Sequence, residues 1–468
     1  MMATNGAALS PVPDVRGKRV LVYSMGIEGR DLASWAVANE AIVTMSDTRT
    51  PAALTAAGPT APEGVERGVT GQDLLDPAGF ALVAVSQSVL RYNPALHRAR
   101  ALGIPVTSQM RLFLQLCPGR TIGITGSSGK STTTALVGAM AEQSGVEYVM
   151  GGNIGEPLLR RLDEIRPATT VILEISHTQL QYTDRSPAIA AVTNVTPNHL
   201  DQFSWDEYVG LKRNILLHQH RGDSAILNAD DHTSRALMAD TRGRLVRTSI
   251  HAEPPGDGSW LDGEDIVVRG GNRVTAVLPR DGILLRGEHN LANVVMACAI
   301  ANEAGFPVGA MARAIRGFSG VGHRLEVVGR ALGATWINDS IATSPERTVA
   351  GLRAFTEPVV LLLGGRDKSL PLEGLRELAR ARCRAVICFG ESGQLFADGL
   401  RDAVADTRLV ATLDDAVAAA ATAVQPGDVA LLSPAGTSFD AYPNFEARGA
   451  AFRRLASALP GFSAEVQP

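Results

Sequence analysis

Gly123-Ile124-Thr125-Gly126-Ser127-Ser128-Gly129-Lys130-Ser131-Thr132 is the stretch from which the rest of this chain is best read. It closes a β-branched run at 121–126 and leads into a helical pattern at 134–145. A glycine-rich turn between a strand and a helix is the setting a phosphate loop requires. Gly126 and Gly129 let backbone N–H groups approach phosphate oxygens. Lys130 neutralises β- and γ-phosphate charge, and the Ser131 hydroxyl suits Mg²⁺. The dipole at the helix N-terminus adds to the attraction for an anion. Position 124 is Ile, so the spacing departs from the common G-x4-G-K-[ST] form.

The same alternation runs outward in both directions. Apolar, β-branched runs at 19–24, 80–86, 170–176, 189–195, 224–230, 335–341, 358–365, 385–390 and 428–434 are each followed by a loop and a helical stretch. Near-continuous apolar strands alternating with helices indicate parallel sheets covered on both faces, so the expected class is α/β. Ligands of such sheets sit at the carboxyl ends of the strands. Three blocks are expected: residues 1–118, residues 119–324 and residues 325–468, with a Gly-rich join at 317–322 closing the second. A polar insert at 254–272, followed by alternating residues at 274–285, reads as a small β excursion within the middle block.

Composition narrows the function. The 44 basic and 48 acidic side chains leave a net charge of −4, which argues against nucleic acid as a partner. No apolar run is long enough to span a membrane, and the first residues lack the basic-then-apolar pattern of a signal peptide. Cys117, Cys298, Cys383 and Cys388 make neither a disulfide framework nor a metal motif and are expected as inert thiols. The expectation is a cytoplasmic protein acting on small molecules. Without a heptad run or apolar stripe, a monomer is expected.

The loops after the other strands supply the remaining chemistry. Glu174 ends the run at 170–176; alone it would be a solvated loop acid, but beside a phosphate loop it reads as a metal carboxylate. Asn198-His199-Leu200-Asp201 ends the next run, with Lys212 on a helix that starts near Trp205. A lone histidine is more often structural; its place at a strand end in the same block makes His199 a ligand candidate. In the first block, Ser24-Met25-Gly26-Ile27-Glu28-Gly29, with Asp47 about twenty residues on, is a weak dinucleotide-type signature. In the third, Asn338-Asp339-Ser340-Ile341-Ala342-Thr343, Gly364-Gly365-Arg366-Asp367-Lys368 and Ser433-Pro434-Ala435-Gly436-Thr437-Ser438 all follow strands. Together they suit carboxylates and phosphates.

Taken together these motifs resemble the Mur ligase family of ATP-dependent amide-forming enzymes, over essentially the whole chain. Further marks are Gly152-Asn153-Ile154-Gly155, Gly287-Glu288-His289-Asn290 with Asn293, His323-Arg324-Leu325-Glu326 and Asn444-Phe445-Glu446 with Arg448-Gly449. The resemblance implies a Rossmann-like N-terminal domain for the UDP substrate, a central P-loop ATPase-like parallel-sheet domain for ATP, and a Rossmann-like C-terminal domain for glutamate. It implies the D-glutamate-adding reaction of peptidoglycan precursor synthesis, by way of an acyl phosphate. Lys130, Ser131 and Thr132 would hold ATP phosphates and one Mg²⁺, with Glu174 as a further ligand. His199 would hold a second Mg²⁺, supported by a carbamylated Lys212. Asn290, Asn293, Arg324 and Asp339 would hold adenine and ribose. Asp47, Thr48, Arg49 and Asn153 would contact the UDP substrate. Thr343, Lys368, Ser438 and Phe445 would grip glutamate.

Several positions depart from the family pattern: Ser127-Ser128 in the phosphate loop, Ser86-Gln87-Ser88, His177-Thr178 after Glu174, Asn198 before His199, and Ile341 where a lysine is usual. The loss of charge at Asn198 and Ile341 keeps open a non-catalytic nucleotide-binding relative, and a relative that uses L-glutamate stays open because a pocket sequence does not settle chirality.

Overall fold

A computed structural model describes residues 13–51, 54, 61–71, 73–155, 157–200, 202–285, 287–367 and 370–464. The chain forms two compact units, Met1–Ile283 with Glu288–Arg316, and Leu284–Gly287 with Gly317–Pro468. The first unit carries two sheets and the second carries one.

Strands β1 (Arg19–Tyr23), β2 (Ile42–Asp47), β3 (Arg67–Thr70), β4 (Leu82–Val85) and β5 (Val106–Ser108) form an all-parallel sheet in the order β3-β2-β1-β4-β5. The second sheet is built around β6 (Arg120–Thr125), β7 (Tyr148–Gly152), β8 (Thr170–Glu174), β9 (Ile189–Val192), β10 (Ser224–Asn228) and β11 (Arg244–Ser249). Its order is β14-β13-β12-β11-β10-β9-β6-β8-β7. The expected β excursion is its edge: β12 (Gly258–Asp262), β13 (Asp265–Gly270) and β14 (Arg273–Pro279), joined antiparallel to one another. The third sheet, in the second unit, uses β15 (Glu326–Ala331), β16 (Ala334–Asn338), β17 (Val359–Gly364), β18 (Cys383–Phe389), β19 (Thr407–Leu409) and β20 (Val429–Ala435). Its order is β15-β16-β20-β17-β18-β19, with only β15 antiparallel.

The apolar runs become strands because helices cover both of their faces, and every residue of β4, β9, β17 and β20 is buried. Most strands stop one to three residues before the apolar run does. Those last residues turn into the loops that carry polar groups.

In each sheet the motif-bearing strands are neighbours. Asp47, Ser24 and Ser86 follow the adjacent trio β2-β1-β4. The loops after β9, β6 and β8 carry Thr193, Gly126 and Ile175. Asn338, Ala435 and Gly364 end the trio β16-β20-β17. Chain order alone would not put β9, β6 and β8 side by side.

Two carboxylates, Glu28 half-buried and Asp31 buried, fasten the first sheet to the second within the first unit. Glu28 accepts from the Gln87 amide N–H at 2.7 Å and from Gln179 Nε2 at 2.7 Å. Asp31 accepts from Gln109 Nε2 at 3.1 Å, from the Leu159 N–H at 3.1 Å and from the Arg160 N–H at 3.2 Å. Burial raises the pKa of both, against the pull of these bonds. Removing a donor from such a carboxylate leaves a buried charge short of partners, which is costly.

Candidate active site

The phosphate loop needs its glycines for space as well as conformation. Gly126 has φ 152°, and a Cβ there would lie 1.9 Å from Thr193 Oγ1; Gly129 has φ 79°, and a Cβ would lie 2.1 Å from Asn293 Oδ1. The helix Lys130–Ser144 starts directly after Gly129, four residues earlier than the apolar pattern suggests. The loop is braced from the next strand end. Ser127 N donates to Asn194 O at 2.9 Å, Ser128 N donates to Asn194 Oδ1 at 3.0 Å, and Thr193 Oγ1 donates to Ser128 O at 2.6 Å. Ser131 and Thr132 are half-buried in the first helical turn.

Around this loop the strand ends gather cations and one acid. Lys130 Nζ folds back onto Gly126 O at 2.8 Å and Ser127 O at 3.3 Å. Lys212 is fully buried on the helix Trp205–Leu217, which Ser204 and Glu207 cap reciprocally. Its Nζ donates to Gly126 O at 2.8 Å and to Thr125 Oγ1 at 3.0 Å. Burial holds the Lys212 pKa well below the usual lysine range; Lys130 adds to this and Glu174 opposes it. Burial thus shifts the amine toward its neutral, nucleophilic form.

Glu174 lies in register with Ile124 of the phosphate-loop strand. Its Oε1 accepts from Asn153 Nδ2 at 2.7 Å, while Oε2 is buried with no hydrogen-bond partner. Asn153 Oδ1 in turn lies 3.4 Å from Gln87 Nε2. A buried carboxylate oxygen without a partner beside a phosphate loop could take a cation.

His199 has φ 54°, and its ring lies 4.4 Å, centre to centre, from that of His177. His177 is buried against Phe203 and Tyr208, its Nε2 has no partner, and its pKa is pushed down to about 3 by burial first and then by Lys212, His199 and Lys130. Among the described residues no three His, Cys, Asp or Glu side chains converge as a ready cage. The Glu174 carboxylate and the Ser131 hydroxyl are oxygen donors of the kind Mg²⁺ takes, one or two at a time, together with waters and substrate phosphates. Asn293 is buried against the loop and donates to Asn290 Oδ1 at 3.2 Å.

At the end of β2, Asp47 accepts from the Met25 N–H at 2.7 Å and from Arg49 through Nε at 2.9 Å and Nη2 at 2.6 Å. Burial pushes its pKa up, but these donors outweigh that and hold it below the usual carboxylate range. Thr48 and Arg49 are exposed beside it.

The second unit gathers its own set. Asp339 is buried and accepts from Ser433 Oγ at 2.8 Å and the Leu325 N–H at 3.2 Å. Burial raises its pKa to about 7, against the pull of these bonds and of Arg324 and Arg347. Thr343 is half-buried just beyond, and Ser438 is buried at the end of the β20 loop. Phe445 opens the helix Phe445–Ser457, and its carbonyl accepts from Ser340 Oγ at 2.8 Å. Lys368 lies outside the described residues.

Arg448, which sequence reasoning noted only as part of a motif, ties these loops together. It is fully buried and donates from Nε to Ser340 Oγ at 3.0 Å, from Nη2 to Ser340 O at 2.9 Å and from Nη1 to Gly436 O at 3.1 Å. Gln87 and His177 were likewise noted only as departures. Gln87 Oε1 accepts from Ser176 Oγ at 2.7 Å and Thr178 Oγ1 at 3.0 Å, so two departures about ninety residues apart in sequence touch. The clue to His177 was its position three residues after Glu174.

Comparison with known proteins matches residues 124–301 to the Mur ligase middle domain and residues 323–436 to the Mur ligase, glutamate ligase domain. The chain is 39% identical over 450 residues to the UDP-N-acetylmuramoylalanine–D-glutamate ligase of Symbiobacterium thermophilum, covering 94% of this chain and 98% of that one. It is 36% identical to the enzyme of the same name from Clostridium novyi over 457 residues, covering 95% and 98%. Among solved structures it shares its fold with the UDP-N-acetylmuramate–alanine ligase MurC of Thermotoga maritima, at TM-score 0.54 and 16% identity, over 93% of this chain and 98% of that one. No helix among the described residues is long and apolar enough to cross a membrane.

Proposed function

Because this chain belongs to the Mur ligase family, we propose that it joins D-glutamate to UDP-N-acetylmuramoyl-L-alanine at the expense of ATP, in cytoplasmic peptidoglycan precursor synthesis. The observation that carries an active enzyme rather than a decayed relative is the open Glu174 Oε2 and the buried, neutral-leaning Lys212 beside an intact phosphate loop. A chain that had lost its chemistry would have no reason to keep such unfavourable groups.

The γ-phosphoryl group of ATP passes to the terminal carboxylate of the UDP substrate, and ADP leaves. The glutamate amine attacks the acyl phosphate and gives up a proton, the amide bond forms, and phosphate leaves with the bonding pair. The backbone amides at Gly126 and Gly129, with Lys130, Ser131 and Thr132, cradle the ATP phosphates. Lys130 leaves its loop carbonyls for the γ-phosphoryl oxygens. Two Mg²⁺ ions supply charge neutralisation between the anionic reactants when bound. Ser131 and Glu174 would hold one, and His199 and Lys212 the other. The neutral Lys212 amine adds to carbon dioxide and loses a proton, which turns a buried amine into a carbamate anion. Asn153 orients Glu174 through its amide and faces the UDP substrate together with Asp47, Thr48 and Arg49. Asn290, Asn293, Arg324 and Asp339 take adenine and ribose, while Thr343, Lys368, Ser438 and Phe445 take glutamate. Catalysis is then mostly positioning and electrostatic stabilisation. The working molecule in this reading is a monomer with domains at 1–118, 119–324 and 325–468.

The test is phosphate release with ATP, Mg²⁺ and UDP-N-acetylmuramoyl-L-alanine, run with D-glutamate, L-glutamate and no amino acid. Release with D-glutamate alone is expected. Release with L-glutamate alone would move the enzyme to the other stereoisomer, and silence in every arm would end the enzymatic reading.

A further inference from the structure

We propose that Gln87 is a positioning residue for the ligation: it orients the Asn153 amide, and through it settles which oxygen of Glu174 stays open beside the phosphate loop. This rests on the reading above that Asn153 and Glu174 serve the reaction, and adds a residue that acts through them.

A closed ring of hydrogen bonds holds Gln87. The residue is half-buried in the loop after β4, and its N–H donates to Glu28 Oε2 at 2.7 Å. Glu28 Oε1 accepts from Gln179 Nε2 at 2.7 Å. Gln179 Oε1 accepts from the Ser176 N–H at 3.0 Å, and the Gln179 N–H donates to Ser176 Oγ at 3.1 Å, a reciprocal cap. Ser176 Oγ donates to Gln87 Oε1 at 2.7 Å and closes the ring. The loop after β4 is thereby pinned to the turn after β8. Thr178 Oγ1 adds a second bond to Gln87 Oε1 at 3.0 Å.

The ring has a direction. A backbone N–H only donates, so Ser176 Oγ accepts from Gln179 and keeps its one proton for Gln87. Two hydroxyl donors mark that end of the Gln87 amide as its oxygen. The opposite end is the NH₂ group, and it faces Asn153 Oδ1 at 3.4 Å, a long bond of the right sense. The Asn153 NH₂ is then left for Glu174 Oε1, to which it donates at 2.7 Å. Main-chain pairing already ties these two residues together: Gly152 is in register with Glu174, and the Asn153 N–H donates to Glu174 O at 2.8 Å. What remains to be set is the sense of the Asn153 amide, and Gln87 sets it. With Oε1 engaged, Oε2 is the oxygen without a partner. An amide turned end for end would bring two acceptors together at Glu174.

The experiment is a double-mutant cycle on the full chain, read as kcat for phosphate release with ATP, Mg²⁺, UDP-N-acetylmuramoyl-L-alanine and D-glutamate. Gln87→Met should lower kcat about tenfold, and Asn153→Ala should lower it further. The double variant should be no slower than Asn153→Ala, because Gln87 acts through that amide. Gln87→Glu separates positioning from scaffolding. Its carboxylate keeps the ring's acceptor but offers Asn153 no donor, so it should lose at least as much kcat as Gln87→Met. A purely structural Gln87 would leave it near the unmodified rate. A second readout needs no turnover. With ¹⁵N-labelled asparagine and no ligand, the Asn153 side-chain amide signal, identified by its loss in Asn153→Ala, should shift in both Gln87 variants. An unmoved amide signal, additive losses in the cycle, or an unimpaired Gln87→Glu would overturn the proposal and leave the reading of the site standing. Full activity in Asn153→Ala, or no phosphate release by the unmodified protein, would overturn both.

Discussion

Lys212 on the helix Trp205–Leu217 and Arg448 on the helix Phe445–Ser457 are both fully buried basic side chains, yet their surroundings differ. Arg448 spends its donors on Ser340 and Gly436, joining the loops after β16 and β20. Burial lowers its pKa to about 10, which still leaves it charged at neutral pH. Lys212 has only a hydroxyl and a carbonyl as acceptors, lies near a second lysine, and is pushed toward neutrality. Beside it, Glu174 Oε2 and His177 Nε2 are left without partners. One region completes its own polar network and presents a rigid set of loops. The other leaves polar atoms of its network without partners. Burial keeps a charge as scaffold in the first and works against a charge in the second.

The contrast can be broken by substitution, and the largest effect is expected at Lys212. Lys212→Ala should lower kcat about 10³-fold and lower the thermal midpoint modestly, since removing a desolvated amine offsets part of the cost of a cavity and two stranded acceptors. Added short-chain carboxylates should restore part of the rate. A loss under tenfold would end the catalytic role. Arg448→Met should behave the other way. It strips donors from three buried acceptors and should cost about 3 kcal/mol in urea-induced unfolding, at roughly 1–3 kcal/mol for each stranded group offset by the packed methionine. An unchanged urea midpoint would mean that Arg448 is no scaffold. Glu174→Gln keeps the Asn153 contact through its carbonyl oxygen and should lower kcat about 10²-fold, with stability unaltered, in steady-state phosphate release. A matching drop in melting temperature would move Glu174 into the scaffold class.

A last test sharpens the comparison through pH. The fold raises the Asp339 pKa from 3.8 to about 7, mainly by burial. The stability contributed by its neutral form is complete below about pH 4 and is lost as pH rises through about 7, with a slope of up to about 1.4 kcal/mol per pH unit. Asp339→Asn should remove that slope. Parallel stability–pH curves for the two proteins between pH 4 and 7 would show that Asp339 is not buried in this way.

Much of this was open to a reader of residues alone. The loop at 126–131 announces itself because phosphate binding needs glycine at close-approach positions followed by Lys and Ser, a requirement local in sequence. The ten apolar runs stand out because doubly covered parallel strands lose their polar alternation. Glu174 was accessible for the same reason, as an acid at the end of such a run. The short edge strands β3, β5, β7 and β19 were missed: a strand of three to five partly exposed residues has too little pattern to separate from a loop.

By itself, then, the sequence determined the α/β class, the phosphate loop and the strand-end residues around it, because each follows from the spacing of residue types along a short segment. Only the tertiary structure decided which strand ends became neighbours. Local patterns set a strand's period, while pairing β6 between β9 and β8 depends on the packing of the whole sheet. The contact of Gln87 with Thr178, the stacking of His177 on His199 and the grip of Arg448 on two loops all depend on that packing. These groups share no segment of chain, and their chemistry exists only where folding brings them within hydrogen-bond or ring-contact distance.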